Sequence, residues 1–192
     1  MSLFDSSIVL SRALERWAAA DGAAAPNSTV AGRRVVELGS GCGLVGLTAA
    51  ALGGHVTLTD LPCNVPLLRY NLARDSNRAA LAGAPHAPAA RSLDWTAPLP
   101  EELLHSADVI LGTDLFYAGC PVEALAATLG RLAAPRTVAW LAAGRNRATL
   151  AAFFAAVAPE WDVRTADREA ELNNVFQCDD CDVWVLTRKA CE

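Results

Sequence analysis

The residues best suited to chemistry lie in one stretch, Val35-Val36-Glu37-Leu38-Gly39-Ser40-Gly41-Cys42-Gly43, and at Asp60 downstream of it. Two β-branched residues lead into an acidic one, and three glycines follow at alternate positions. A strand that ends this way turns sharply and opens a helix, presenting backbone N–H groups to the polar end of a ligand. Glycine permits the φ values such a turn needs and lets the backbone approach closely, because no Cβ intervenes. Asp60 follows the next apolar run, His55–Thr59, where a carboxylate can accept ligand hydroxyls. Together these residues read as a pocket for a nucleoside-bearing cofactor.

Two cofactors fit the glycines. Gly41, Gly43 and Gly46 satisfy G-x-G-x-x-G with an acidic residue about 20 positions on, the dinucleotide pattern. Glu37, two residues before the first glycine, argues the other way. A carboxylate there can receive the ammonium of a methionine, directly or through water, and would repel a pyrophosphate. The reading therefore favours S-adenosylmethionine, with an NAD-linked oxidoreductase kept as the alternative.

Such residues need a scaffold, and strands and helices alternate along the chain. Ser6–Ala20 has helical spacing of Ile8, Leu10, Leu14 and Trp17, with Asp5 as N-cap. Strands are expected at Arg34–Leu38, His55–Thr59, Ala89–Leu93, Asp108–Gly112, Thr137–Leu141, Trp161–Thr165 and Asp182–Thr187. Helices are expected from about Gly43 to Leu52, from Asn64 through about Ser76, over Pro121–Ala133 and over Arg147–Val157. This pattern predicts an α/β, Rossmann-like sheet of seven strands, mostly parallel, with helices on both faces. The last two strands, joined without an obvious helix, predict an antiparallel edge. No boundary or repeat divides residues 1–192, so a single domain is expected. Ligands in such sheets lie beyond the strand C-termini, which would bring Gly39–Gly43, Asp60, Asp94, Trp95, Thr113 and Asp114 together.

Four segments carry a resemblance: Phe4-Asp5-Ser6-Ser7-Ile8-Val9-Leu10, Glu37 to Leu47, Leu93-Asp94-Trp95, and Thr113-Asp114-Leu115-Phe116-Tyr117. In this order they resemble the class I, seven-β-strand S-adenosylmethionine-dependent methyltransferases. More specifically they are similar to the protein-lysine branch, of the methyltransferase-like 21 type, whose members modify chaperones and translation factors. The glycine loop marks the superfamily; the Asp-x-x-Tyr signature at Asp114 and Tyr117 with the N-terminal segment is narrower. The chain departs from the family in having Phe4 where tryptophan is usual. It also has Ala143-Gly144-Arg145-Asn146-Arg147 where many relatives place an acidic residue before an arginine.

The resemblance implies methyl transfer to a lysine nitrogen of a protein substrate, a chaperone or translation factor among the candidates. It assigns the methionine end to Gly39, Ser40, Gly41 and Gly43, with Glu37 beside them. Asp60, with Leu61 next to it, takes the ribose, and Asp94 and Trp95 take the adenine. Thr113 is counted with the cofactor-binding residues, and Asp114 and Tyr117 form the target-amine channel. Asp114 is expected to hold the incoming ammonium and Tyr117 to orient the amine. Each residue also has a plainer reading: Asp60 as a cap for the Asn64 helix, Asp94 as a turn residue, Trp95 and Tyr117 as packing residues. Arg145–Arg147 and the Asp167–Asp180 segment are read as an outer rim that selects the target.

Other chemistries lack their residues. Thr113-Asp114-Leu115-Phe116 has no prolines, unlike enzymes acting on exocyclic base amines, and no Pro-Cys turn supplies a cytosine-C5 nucleophile. No cluster of carboxylates or paired Cys and His completes a metal site. A net charge of −5 argues against a broad nucleic-acid surface. No apolar run reaches the length of a membrane span, and the N-terminus does not read as a signal peptide. With six scattered cysteines, the default is a cytoplasmic protein with reduced thiols. Two further alternatives stay open, a small-molecule N-methyltransferase and a cofactor-binding module without turnover.

Overall fold

The computed structural model describes residues 4–19, 29–172 and 178–189. Seven strands form one sheet: β1 (Arg34–Leu38), β2 (His55–Asp60), β3 (Ala89–Ser92), β4 (Ala107–Thr113), β5 (Ala133–Gly144), β6 (Trp161–Thr165) and β7 (Cys181–Arg188). Their spatial order is β3-β2-β1-β4-β5-β7-β6. The first five are parallel neighbours, while β7 runs antiparallel to both β5 and β6. The expected antiparallel pair thus sits at the sheet edge, with β7 inserted one place in and β6 outermost.

Burial follows the two-residue period of strands. In β4, Val109 and Leu111 join the core on one face, and Ile110 joins the core on the other. Helices α1 (Asp5–Ala19), α2 (Leu44–Ala51) and α3 (Val65–Ala73) cover the first face. Helices α5 (Val122–Leu132) and α6 (Leu150–Val157) cover the second, joined by Leu99 and Leu103. Both faces of the central strands are dry, which is why their sequences read as near-continuous apolar runs.

Three elements differ from expectation. The helix expected from Asn64 through Ser76 breaks at Arg74, whose ψ of 137° is extended, and resumes as the short α4 (Asp75–Ala80). Strand β5 is 12 residues long rather than five, because Ala133 pairs with Ala107 across an irregularity before Val138 pairs with Val109. Strand β2 includes Asp60, which pairs with Ser92.

Strand order reverses between β1 and β4, so the loops leaving them diverge and open a crevice at their C-terminal ends. Leu38 and Gly112 are register partners, which places Gly39 and Thr113 side by side at its mouth. Helix α1 closes one side. It is anchored by Trp17, buried against Trp140 with ring centroids 4.9 Å apart. The Trp17 indole N–H has no hydrogen-bond partner among the described residues. Trp17→Ala is expected to cost about 3–5 kcal/mol through the cavity it leaves. Trp17→Phe should cost much less, since it also removes an unsatisfied donor. Urea unfolding of the three proteins checks both.

Candidate functional site

A cavity of about 460 Å³ fills this crevice. Its wall includes Glu37, Gly39, Ser40, Gly41, Asp60, Leu61, Asp94, Trp95, Thr113, Asp114 and Tyr117. Of the residues expected to form the site, only Gly43 is not on the wall. Its φ of 85° starts α2, and a Cβ there would meet Leu58 at 2.9 Å and Leu68 at 3.2 Å. Gly43 therefore packs inward against the core instead of lining the site.

The loop is stapled to the end of β2. Ser40 N–H donates to the Thr59 carbonyl at 2.9 Å, and Thr59 N–H donates to Ser40 Oγ at 3.0 Å. Gly41 N–H donates to Asp60 Oδ2 at 2.7 Å. Gly39 adopts φ 57°, and a Cβ on it would lie 2.8 Å from Leu115 and 3.6 Å from Trp95. The bare backbone at Gly39 thus keeps the cavity open beneath the Trp95 ring.

Glu37 lies beneath this loop with only 2% of its surface exposed. Its Oε2 accepts the Gly46 N–H at 3.1 Å, satisfying one of the first-turn donors of α2. A Cβ on Gly46 would stand 2.5 Å from that oxygen, so glycine is required for the contact. Burial pushes the Glu37 carboxyl up to about 8, against the opposing pull of hydrogen bonds from Ser40 and Gly46. At about 8 the carboxyl is largely protonated at neutral pH.

Asp60 is a structural acceptor as well as a wall residue. Its Oδ1 accepts the Leu61 N–H at 2.7 Å and Asn64 Nδ2 at 2.9 Å. Asp94 is more open: its Oδ1 accepts the Thr96 N–H and hydroxyl, which hold the carboxyl below its usual range. Asp94 thus makes the turn contact of its plainer reading while facing the cavity, whereas Asp60 bonds the Asn64 side chain and does not cap the helix that follows.

The acceptor end departs most from expectation. Asp114 has φ 52°, a left-handed conformation uncommon outside glycine, held by its N–H donating to the Ala142 carbonyl at 2.9 Å. Its carboxylate does not stand ready for an incoming ammonium. Arg147 donates to Oδ1 from Nε at 2.8 Å and from Nη2 at 2.6 Å, and the Ser6 hydroxyl donates to Oδ2. Arg147 is therefore part of the site and not only of an outer rim. Arg145 does turn outward, onto Asp182 at 2.8 Å. Tyr117 is 48% exposed on the rim beside the exposed apolar side chains of Phe4 and Leu61. Partial burial raises its phenol pKa, with Cys120, Asp60 and Asp94 adding to the shift. Phe116 points the other way, into a cluster with Phe153 and Trp184.

Four acidic residues and one arginine line the cavity, and that arginine is already paired. A wall rich in acceptors suits a ligand with ammonium, hydroxyl and amine donors and a positive charge, and it suits a pyrophosphate poorly. S-adenosylmethionine fits this set, and the open backbone at Gly39 leaves room for it. Among the described residues no group of three or more His, Cys, Asp or Glu could hold a metal ion, and no helix is long and apolar enough to cross a membrane.

Comparison with known proteins agrees with this chemistry. A family model described as lysine methyltransferase matches residues 1–160. The protein-lysine methyltransferase METTL21E of Bos taurus is 36% identical over 109 residues, which is 55% of this chain and 36% of the relative. The EEF1A lysine methyltransferase 3 of Xenopus tropicalis is 30% identical over 146 residues, covering 74% of this chain and 62% of the relative. The aligned part of this chain spans less than two thirds of each of these relatives. Among solved structures, a predicted O-methyltransferase from Agrobacterium tumefaciens superposes with a TM-score of 0.66 at 15% identity, covering 96% of this chain and 81% of that one. A TehB-like SAM-dependent methyltransferase from Corynebacterium glutamicum gives 0.64 at 18% identity, covering 98% and 89%. At these identities the structural likeness establishes the Rossmann-like fold.

The Glu37 environment predicts a pH-dependent stability. Its folded pKa of about 8 lies above the ordinary value of 4.5, so the folded state holds a proton that the unfolded state releases between these values. The ligand-free protein should lose on the order of 3–5 kcal/mol as pH rises from about 4.5 through about 8. Glu37→Gln should flatten that slope while keeping an acceptor for Gly46. Urea midpoints at pH 5, 6.5 and 8.5 for both proteins check it.

Proposed function

The chain belongs to the lysine methyltransferase family, and from that premise we propose that it transfers a methyl group from S-adenosylmethionine to the side-chain nitrogen of a lysine in a protein. The observation that carries this reading is the acceptor-lined cavity at the β1/β4 crevice, closed by the Asp-x-x-Tyr turn that bears Asp114 and Tyr117. Glu37 and the Gly39–Gly41 backbone would hold the methionine end of the cofactor, Asp60 and Leu61 the ribose, and Asp94 and Trp95 the adenine. Bound there, S-adenosylmethionine supplies a methyl group activated by a cationic sulfur.

The chain's own contribution at the acceptor end is alignment and exclusion of water. Phe4, Leu61 and Tyr117 present apolar surface at the rim, suited to the aliphatic stem of a lysine. The Tyr117 hydroxyl, protonated at neutral pH, can orient the amine by a hydrogen bond. The lysine must also lose a proton, which at pH 7.4 costs about 4 kcal/mol from its reference pKa.

The substrate we favour is a translation factor. One relative bears the name of an EEF1A lysine methyltransferase, and a chain with net charge −5 suits a basic partner. We place the protein in the cytoplasm, in keeping with the free thiols of Cys63, Cys120, Cys178 and Cys181.

Calorimetric titration with S-adenosylhomocysteine should give micromolar binding, with no binding of NADH. Asp60→Ala, which removes the acceptor for Gly41, Leu61 and Asn64, should weaken it at least about a hundredfold, as expected for losing charge-assisted bonds of roughly 1.5–3 kcal/mol each. Labelled methyl transfer should then appear on a lysine of purified elongation factor 1A or of another lysate protein. Binding without transfer to any protein, or transfer to small amines alone, would overturn the protein-lysine reading.

A further inference from the structure

Two arginines flank Asn146 in the loop after β5, and they do different things. Arg145 turns out to Asp182, whereas Arg147 turns in and places two N–H donors on one oxygen of Asp114. The other oxygen accepts from Ser6, on the first turn of α1. Asp114 is therefore held from three sides: by its own backbone at the end of β4, by α1, and by the loop after β5. Only 11% of its side chain is exposed, against 38% for Arg147.

The charges around this point leave little to offset a second cation. Cys181, at the start of β7, is near enough to feel Asp114 and Asp5, but burial and the neighbouring Cys178 push its thiol up to about 12, so it carries no charge. Tyr117 is a neutral phenol, and Glu37 is uncharged near neutrality. Asp60 and Asp94 also line the cavity, and Thr96 holds the Asp94 carboxyl below its usual range. A protonated lysine arriving beside Asp114 would meet Arg147 already in place, and a cationic sulfur as well.

We propose that Arg147 closes the Asp114 carboxylate into an ion pair, so that the acceptor end presents no uncompensated negative charge and takes the lysine as its neutral amine. Arg147 is on this view a positioning residue that acts through Asp114. Like charges disfavour the ammonium form, so the proton passes to bulk water before the nitrogen enters. Asp114 is a poor base, because taking the proton would cost it the ion pair with Arg147, which places two donors on Oδ1. The charge balance follows from the ion pair itself; the statement about lysine rests on the function proposed above.

The test compares two probes that differ by a methyl group and one charge at sulfur: S-adenosylmethionine, cationic, and S-adenosylhomocysteine, neutral. Their affinities are measured by calorimetry at pH 7.5 for the wild-type chain and four variants. Arg147→Gln bares the Asp114 charge and should raise the preference for S-adenosylmethionine by about five- to tenfold, the scale of one charge neighbour. Asp114→Asn bares the Arg147 charge and should lower it by a similar factor. The double variant and Arg147→Lys should both return near the wild-type ratio. A purely structural role would move the two single variants in the same direction, and that result, or no movement, would overturn the proposal.

A second arm follows methylation of elongation factor 1A, or of the lysate protein labelled above, against pH. Arg147→Gln should raise the pH of half-maximal kcat, which reports the bound complex, by about one unit, with Arg147→Lys restoring it. A superimposable profile would overturn the amine half. Opposed shifts in the binding arm with no lysine methylated at any pH would overturn the lysine reading and the amine half with it, while supporting the ion pair.

Discussion

Glu37 accepting the Gly46 N–H at 3.1 Å is the contact on which the cavity depends. It pins the first turn of α2 to the end of β1, and the approach is close enough to exclude any side chain at Gly46. The same turn is tied sideways to β2: the Thr59 hydroxyl donates to the Glu37 carbonyl at 2.6 Å, and Gly41 reaches Asp60. A buried carboxyl near an uncompensated site costs stability once charged, and here it is kept neutral by its surroundings.

The second organising contact lies across the crevice. Asp114 occupies a left-handed backbone conformation that a non-glycine residue adopts at a cost of roughly 1–2 kcal/mol. The Ala142 carbonyl, Ser6 and Arg147 together hold it there. Because these partners come from β5, α1 and the loop after β5, the acceptor end is assembled only when all three pack. The docking of α1 through Trp17 and Trp140 therefore bears on the chemistry, although neither indole reaches the cavity.

The carboxylates of the cavity divide the electrostatic work. Asp60 and Asp94 line the cavity as hydrogen-bond acceptors. Asp114 lines it as well, with its carboxylate paired to Arg147. The cavity thus combines an acidic wall with one carboxylate already matched by an arginine.

The amino-acid sequence alone determined what depends on neighbours along the chain. Alternating and continuous apolar runs set the seven strands, and alternate glycines after Glu37 set the turn into α2. Asp60, Asp94 and Trp95 were placed by following the strand ends, since ligands in a parallel sheet collect there. The break at Arg74 was not legible, because residues 65–80 carry no proline or glycine beyond the first turn to mark it. Nor was the inward turn of Gly43, which depends on how Leu58 and Leu68 fill the space beneath it. Arg145 and Arg147 look alike in sequence, two arginines one residue apart, yet their partners lie 37 and 33 positions away in opposite directions. Only tertiary structure decided which of them met Asp114. Periodicity and turn chemistry act over a few residues, whereas the pairing of a charge depends on which distant element packing brings beside it.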